Sequence, residues 1–183
     1  MKAKTLTLMK SLLKQSVKIA ALSALLIAPL LSAQSASAKP SGTRASYLGA
    51  GISTGITSGG QGGDAATFGG NIQGRYAIPN TPVSARGAIL FSDETSAIMP
   101  IISYDIPVTN RANAYVGAGY SFVEANGKPT PLGNKDSVVL TAGLETEATR
   151  RIVFYTDAKL GIKAYENSPA SAVSFQAGAA YRF

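Results

Sequence analysis

The stretch Val173-Ser174-Phe175-Gln176-Ala177-Gly178-Ala179-Ala180-Tyr181-Arg182-Phe183 ends the chain and decides how the rest is read. In steps of two, Val173, Phe175, Ala177, Ala179, Tyr181 and Phe183 are apolar or aromatic, while Ser174, Gln176, Gly178, Ala180 and Arg182 are small or polar. Successive side chains of a strand point to opposite faces, so a period of two makes a strand greasy on one side and wet on the other.

Working back toward the N-terminus, the same alternation recurs. Eight segments carry it, at 45–56, 66–78, 83–92, 97–107, 112–123, 137–146, 151–164 and 172–183, separated by turn-rich stretches. The 19 glycines are scattered through the apolar segments, which argues against helices. Short connections (79–82, 108–111 and 147–150) alternate with longer ones (57–65, 124–136 and 165–171), and only 92–96 is short where a long one is expected.

Each segment predicts one uncharged apolar face. Ile52, Ile72, Ile89, Ile98, Ile102, Val116, Leu140 and Leu160 belong to it. The aromatic residues of that face fall at two levels. Phe68, Phe91, Tyr120, Phe122 and Phe175 lie near one end, and Tyr76, Tyr104, Phe154, Tyr181 and Phe183 near the other. Eight residues separate Phe68 from Tyr76 and Phe175 from Phe183. That is roughly 26 Å along a strand and about 20 Å in height at ~40° tilt, close to the ~25 Å apolar band of a membrane barrel. A soluble carrier barrel has the reverse polarity, with an apolar lumen and a polar skin.

On these features the chain resembles the small eight-stranded outer-membrane barrels of the OmpA/OmpX type, over residues 45–183. The resemblance implies a closed antiparallel eight-stranded up-and-down transmembrane β-barrel, all-β, with short periplasmic turns and longer external loops. It also implies a place in the bacterial outer membrane and contact with its lipid. The apolar strand ending on an aromatic residue is similar to the closing strand that the barrel-assembly machinery reads in that family, with Phe175, Tyr181 and Phe183 as the signal. The chain stops on its eighth strand, so no periplasmic domain is expected to follow it. A monomer is expected.

The N-terminus reads as a targeting segment. Lys2, Lys4, Lys10, Lys14 and Lys18 precede a largely apolar run from Ile19 to Leu31, and Ala36-Ser37-Ala38 fits an A-x-A cleavage site. The run is shorter than the ~20 residues a spanning helix needs. Residues 1–38 are therefore expected to be a cleaved signal peptide, with an uncleaved anchor as the alternative, and 39–44 a short lead into the barrel. The formal charge of +7 owes five cations to that leader; without it, twelve basic residues face ten acidic ones. The basic balance is thus not a nucleic-acid signal. The chain has no Cys and no His, so no disulfide, metal site or cofactor is expected.

The opposite face of the strands carries the charges: Arg75, Arg86, Asp105, Glu145, Asp157, Lys159, Lys163 and Arg182, with Asn71, Gln73 and Gln176. Arg75, Arg86 and Arg182 are expected to pair with Asp105 and Glu145, with Asp157 as a further candidate. Two readings stand. One is a polar conduit or a gated salt-bridge lock. The other is an interior whose charges simply neutralise one another, since eight strands leave a lumen just wide enough for side chains. Inward glycines at 49, 51, 55, 117 and 119 make room either for water or for long side chains such as Arg86, Lys159, Tyr115 and Tyr155. The inward Ser84, Ser103 and Ser174 have no recognisable base beside them, so catalysis is not expected. The external loops are mildly acidic (Asp64, Asp93, Glu94, Glu124, Asp136 and Glu166 against Lys128 and Lys135). The sequence reads as a structural, envelope-associated barrel, with a small porin and a loop-mediated adhesion or binding barrel as alternatives.

Overall fold

The computed structural model describes residues 45–59 and 67–183. The expected leader, the lead at 39–44 and Asp64 lie outside them. Eight strands follow one another: β1 (Tyr47–Gly55), β2 (Phe68–Ala77), β3 (Val83–Phe91), β4 (Ser96–Thr109), β5 (Ala112–Val123), β6 (Ser137–Glu147), β7 (Ile152–Ile162) and β8 (Ala172–Arg182). Each pairs antiparallel with the next, and β1 pairs with β8 from Tyr47 opposite Arg182 to Gly55 opposite Ser174. The sheet is closed and has no free edge. The eight-stranded up-and-down barrel expected from the sequence is the fold.

The alternation decides inside and outside. Ile52, Phe68, Ile102, Val116, Leu144 and Phe154 are all more than half exposed, a heavy load of apolar surface for a chain in water. Strand residues of the opposite parity, such as Asn71, Arg75, Asp105 and Gln176, are buried in the lumen. No charged side chain of any strand points outward. The girdle aromatics expected at the two levels are outward and exposed, apart from the half-buried Phe183. One residue departs from the expected surface. Ile98 is 5% exposed, between Ile89 and Phe122 in the register.

Strand ends differ from the expected ones for local reasons. β4 runs on to Thr109 and carries an irregularity between Pro107 and Thr109; a proline lacks the N–H that a regular ladder requires. β7 stops at Ile162 because Lys163 adopts φ 53°, left-handed backbone incompatible with a strand. Lys163 is therefore exposed in the connection to β8, which corrects its expected place in the lumen. The turn from β2 to β3 closes through Asn80 at φ 60°, a conformation asparagine tolerates.

A charge placed on the outer face tests this orientation. Ile102→Arg should cost about 2–4 kcal/mol near mid-bilayer, read from urea unfolding of the vesicle-inserted protein. An equivalent Arg at Val108, beside the turn, should cost about 0–1 kcal/mol.

Candidate functional site

The lumen is built in two halves. At the end with the short turns, β2, β3, β4 and β6 aim four charged side chains at one another. Arg75 Nη2 lies 2.9 Å from Asp105 Oδ2, and Arg75 Nη1 lies 3.0 Å from Glu145 Oε2. Arg86 Nη2 lies 2.8 Å from Asp105 Oδ1, and Arg86 Nη1 pairs with Glu145 Oε1. Each guanidinium thus bridges both carboxylates, and each carboxylate accepts from both guanidiniums. The ring is closed, neutral and 4% exposed or less at every member. Planar five-donor forks make this geometry possible; a lysine offers a single point charge.

The remaining donors are used as well. Arg75 Nε donates to Ser84 Oγ at 3.0 Å, and Arg86 Nε to Ser103 Oγ at 2.7 Å. Ser84 Oγ in turn donates to Asp105 Oδ2. Tyr47 donates to Glu145 Oε1 at 2.6 Å and accepts from Arg86 Nη1 at 3.0 Å. The Arg86 guanidinium carbon also sits 3.5 Å from the centroid of the Tyr115 ring, a cation–π contact.

A second cluster adjoins the first. Lys159 Nζ lies 2.5 Å from Asp157 Oδ1, and Tyr115 donates to Asp157 Oδ2 at 2.9 Å. Gln73 Nε2 donates to the hydroxyls of both Tyr47 and Tyr115, joining the clusters. Tyr155 stacks on Tyr47, with ring centroids 6.2 Å apart, and donates to Asn71 Oδ1 at 2.5 Å. Three cations and three anions therefore form one connected network from β1 to β7. A cavity of about 10 Å³ beside it, lined in part by Arg75, Asn113, Glu145 and Arg182, has room for about one water molecule.

Most of the expected charged residues meet here, but two partnerships differ. Arg182 pairs with none of its expected partners, Asp105, Glu145 and Asp157; its Nη1 pairs with Glu147 Oε1 at 2.8 Å, at the mouth. Asp157 is taken by Lys159 on its own strand. Tyr47 and Glu147 were not anticipated, although both share the inward parity of their strands. Room for the tyrosines comes from glycines other than those expected. Gly143 stands opposite Tyr115 and Gly178 opposite Tyr155 in the register. A Cβ at Gly143 would fall 2.5 Å from the Tyr115 ring, and one at Gly178 would fall 2.4 Å from the Tyr155 hydroxyl.

The other half of the lumen holds an apolar core beside the buried hydroxyls of Ser53, Ser121, Ser137 and Ser174, which corrects the expectation of a polar interior throughout. Ala88, Leu90, Met99, Ile101, Val139 and Ala172 point inward from the wall, joined by Leu132, Ala164 and Tyr165 from the long connections. Leu132 enters on a tight turn in which Thr130 Oγ1 donates to Gly133 O at 2.7 Å, with Gly133 at φ 96°. Tyr165 donates to Thr57 O at 2.6 Å. Asn134 N donates to Ala164 O, and Glu166 N to Asn134 Oδ1, both at 2.9 Å. These bonds tie the β5–β6 and β7–β8 connections into one cap. The loop acids are partly engaged too: Glu94 pairs with Lys128, and Asp136 accepts from Val123 N.

A closed antiparallel eight-stranded ring with charges inside and an apolar, aromatic-banded skin defines a membrane-spanning barrel. The chain belongs to the family described as outer membrane protein beta-barrel domain, whose model matches residues 23–183. It is therefore an integral protein of the outer membrane. Its fold is similar to that of Ail, the attachment invasion locus protein of Yersinia pestis, at a TM-score of 0.51 and 16% identity, covering 79% of this chain and 100% of that one. Neisserial surface protein A (NspA) gives a TM-score of 0.50 at 15% identity, over 79% of this chain and 100% of that one. A de novo designed transmembrane β-barrel gives 0.50 at 12% identity, over 75% and 95%. No curated protein matches the sequence significantly.

Removing one member of the ring leaves its partners charged and buried. Arg86→Ala should destabilise the inserted barrel by about 3–5 kcal/mol in urea unfolding. Replacing Arg86 and Glu145 together by apolar residues of similar size should recover most of that loss.

Proposed function

We propose that this protein is a monomeric, non-catalytic envelope barrel whose lumen is shut at both levels. It contributes to the outer membrane as an integral element and does not act as a pore. The neutral Arg75–Arg86–Asp105–Glu145 ring carries this reading. Its members come from strands around the barrel, are bonded to both neighbours and are almost fully buried. A mobile selectivity ring would leave charge for an ion to bind, whereas here each guanidinium is already matched by two carboxylates. The apolar cap around Leu132 and Tyr165 supports the same reading from the external end. The inward serines support the absence of catalysis. Ser84 and Ser103 accept from the guanidiniums, and the carboxylate beside them, Asp105, is itself held by both arginines.

Planar-bilayer recording tests this against the porin alternative. The purified wild type should show no steady conductance, and Arg86→Ala should admit brief openings at most while the cap remains. Large, steady single-channel currents from the wild type would reverse the assignment in favour of a channel.

The partner in assembly follows from β8. This strand closes the ring on β1, and its outward Phe175 and Tyr181 are about half exposed. The reading makes it the segment recognised by the barrel-assembly machinery, with Phe183 as its terminal aromatic. Phe183→Asn should lower the folded, heat-modifiable fraction in the outer membrane several-fold while leaving the unfolded precursor detectable. Unchanged outer-membrane levels would remove Phe183 from that role.

A further inference from the structure

We infer that the β5–β8 wall carries a binding site for one anionic phospholipid of the periplasmic leaflet, with arginines for its phosphate and a groove for its acyl chain. The arginines are Arg111, in the turn from β4 to β5, and Arg150 and Arg151, in the turn from β6 to β7. All three are exposed. They form one arc, because Glu147 N donates to Arg111 O and Arg182 N donates to Arg151 O, both at 2.8 Å. The carboxylate set among them, Glu147, is already committed to Arg182. Among the described residues no ion pair engages the three guanidiniums, and residues 1–44 contain no Asp or Glu. Three unneutralised cations thus lie side by side just beyond the apolar band, where lipid phosphates are the abundant anions.

The groove stands above the same arc. On the lipid side, Ala142 and Ala158 are cross-strand partners, with Thr156 opposite Leu144 below them. Val116 and Leu144 rise on one side of these small residues and Phe175 on the other, around an open depression of about 390 Å³. Thr156 lies five residues beyond Arg151, roughly 16 Å along the strand and about 12 Å in height at ~40° tilt. That height matches half of the ~25 Å apolar band, the depth that a single acyl chain of one leaflet spans. A phosphate held at the arc therefore brings its chain into the groove. Charge selects the occupant: a zwitterionic headgroup offers its own cation to the arginines, whereas phosphatidylglycerol does not.

The chain has no tryptophan, so one introduced indole reports on its own surroundings. Leu144→Trp places it on the groove wall, and Ile72→Trp places it on the lipid face of β2, across the barrel. Each protein is inserted into vesicles containing equal mole fractions of acyl-brominated phosphatidylglycerol or phosphatidylcholine. The brominated anionic lipid should quench the Leu144→Trp protein at least about twofold more than the brominated zwitterionic one, with no such preference in the Ile72→Trp protein. The preference should vanish when Arg111→Gln, Arg150→Gln and Arg151→Gln are combined in the Leu144→Trp background. It should also vanish with Ala158→Leu, which fills the groove. The arginines lie in exposed turns, and quenching by either lipid verifies that each variant is inserted. Equal quenching by the two lipids at the groove, or the same preference at β2, would overturn the site. So would a preference that survives loss of the arginines or filling of the groove.

Discussion

The hydrocarbon of a bilayer offers no hydrogen-bond partner to a peptide group, and the structure follows from that constraint. Every N–H and C=O at membrane depth must be satisfied by the chain itself, which leaves a sheet no option but to close. The pairing of β1 with β8 achieves this with nine register pairs. Once the ring is closed, the strand period of two becomes a partition between lipid and lumen. A side chain's chemistry is then dictated by parity: Ile72 and Tyr76 face out, and Asn71, Gln73 and Arg75 between and beside them face in. The absence of outward charge and the exposure of so many large apolar side chains are two consequences of the same closure.

Inside, the constraint changes sign. An eight-stranded lumen is too narrow to stay filled with bulk water, so charges there must find protein partners. The closed ring of two arginines and two carboxylates satisfies this locally, and Asp157 with Lys159 does so a second time. Tyr47, Tyr115 and Gln73 connect the two at hydrogen-bond distance, so charges and dipoles in the lower lumen support one another. The upper lumen uses packing. Leu90, Met99, Ile101 and Val139 meet Leu132 and Tyr165, and the loops that deliver those two are held by bonds to each other and to Thr57. The barrel is thus filled by polar satisfaction at one end and by apolar burial at the other.

The sequence disclosed these parts unequally. The wall was legible because its pattern is local: from Val173 to Phe183, six alternate positions are apolar or aromatic, and parity alone places Gln176 and Arg182 inside. The apolar half of the lumen was hidden by its own composition. Around Ala97–Ile102 and Val138–Val139, inward and outward residues are both apolar, so alternation loses its contrast. Leu132 and Tyr165 sit in proline-bearing connections that have no period to read. The partners in the charge network were obscure for another reason. Arg75 and Glu145 meet across the lumen, a relation set by the ring and not by neighbouring register, while Arg182 is drawn to Glu147, a residue that sequence assigned to a turn. Lys163 kept the parity of β7 in the sequence and lost it to a left-handed backbone.

The charged network also bears on which barrel forms. Buried ion pairs are weak sources of stability, since desolvation offsets much of their attraction. Their value here lies in what they exclude. A slip of one residue in the pairing of a strand moves its inward side chains to the outer face. For β2 that would carry Arg75 into lipid, for β3 Arg86, and for β7 both Asp157 and Lys159. Each basic residue so displaced would cost about 2–4 kcal/mol at mid-bilayer, with less near the interface, and each would also abandon its partners across the lumen. The apolar outer residues would meanwhile crowd a lumen that lacks space for them. A uniformly apolar interior would discriminate far less, because both faces would then tolerate lipid. The ring therefore makes the native register the one arrangement in which every strand's charges are paired and every outward side chain is at home in the membrane.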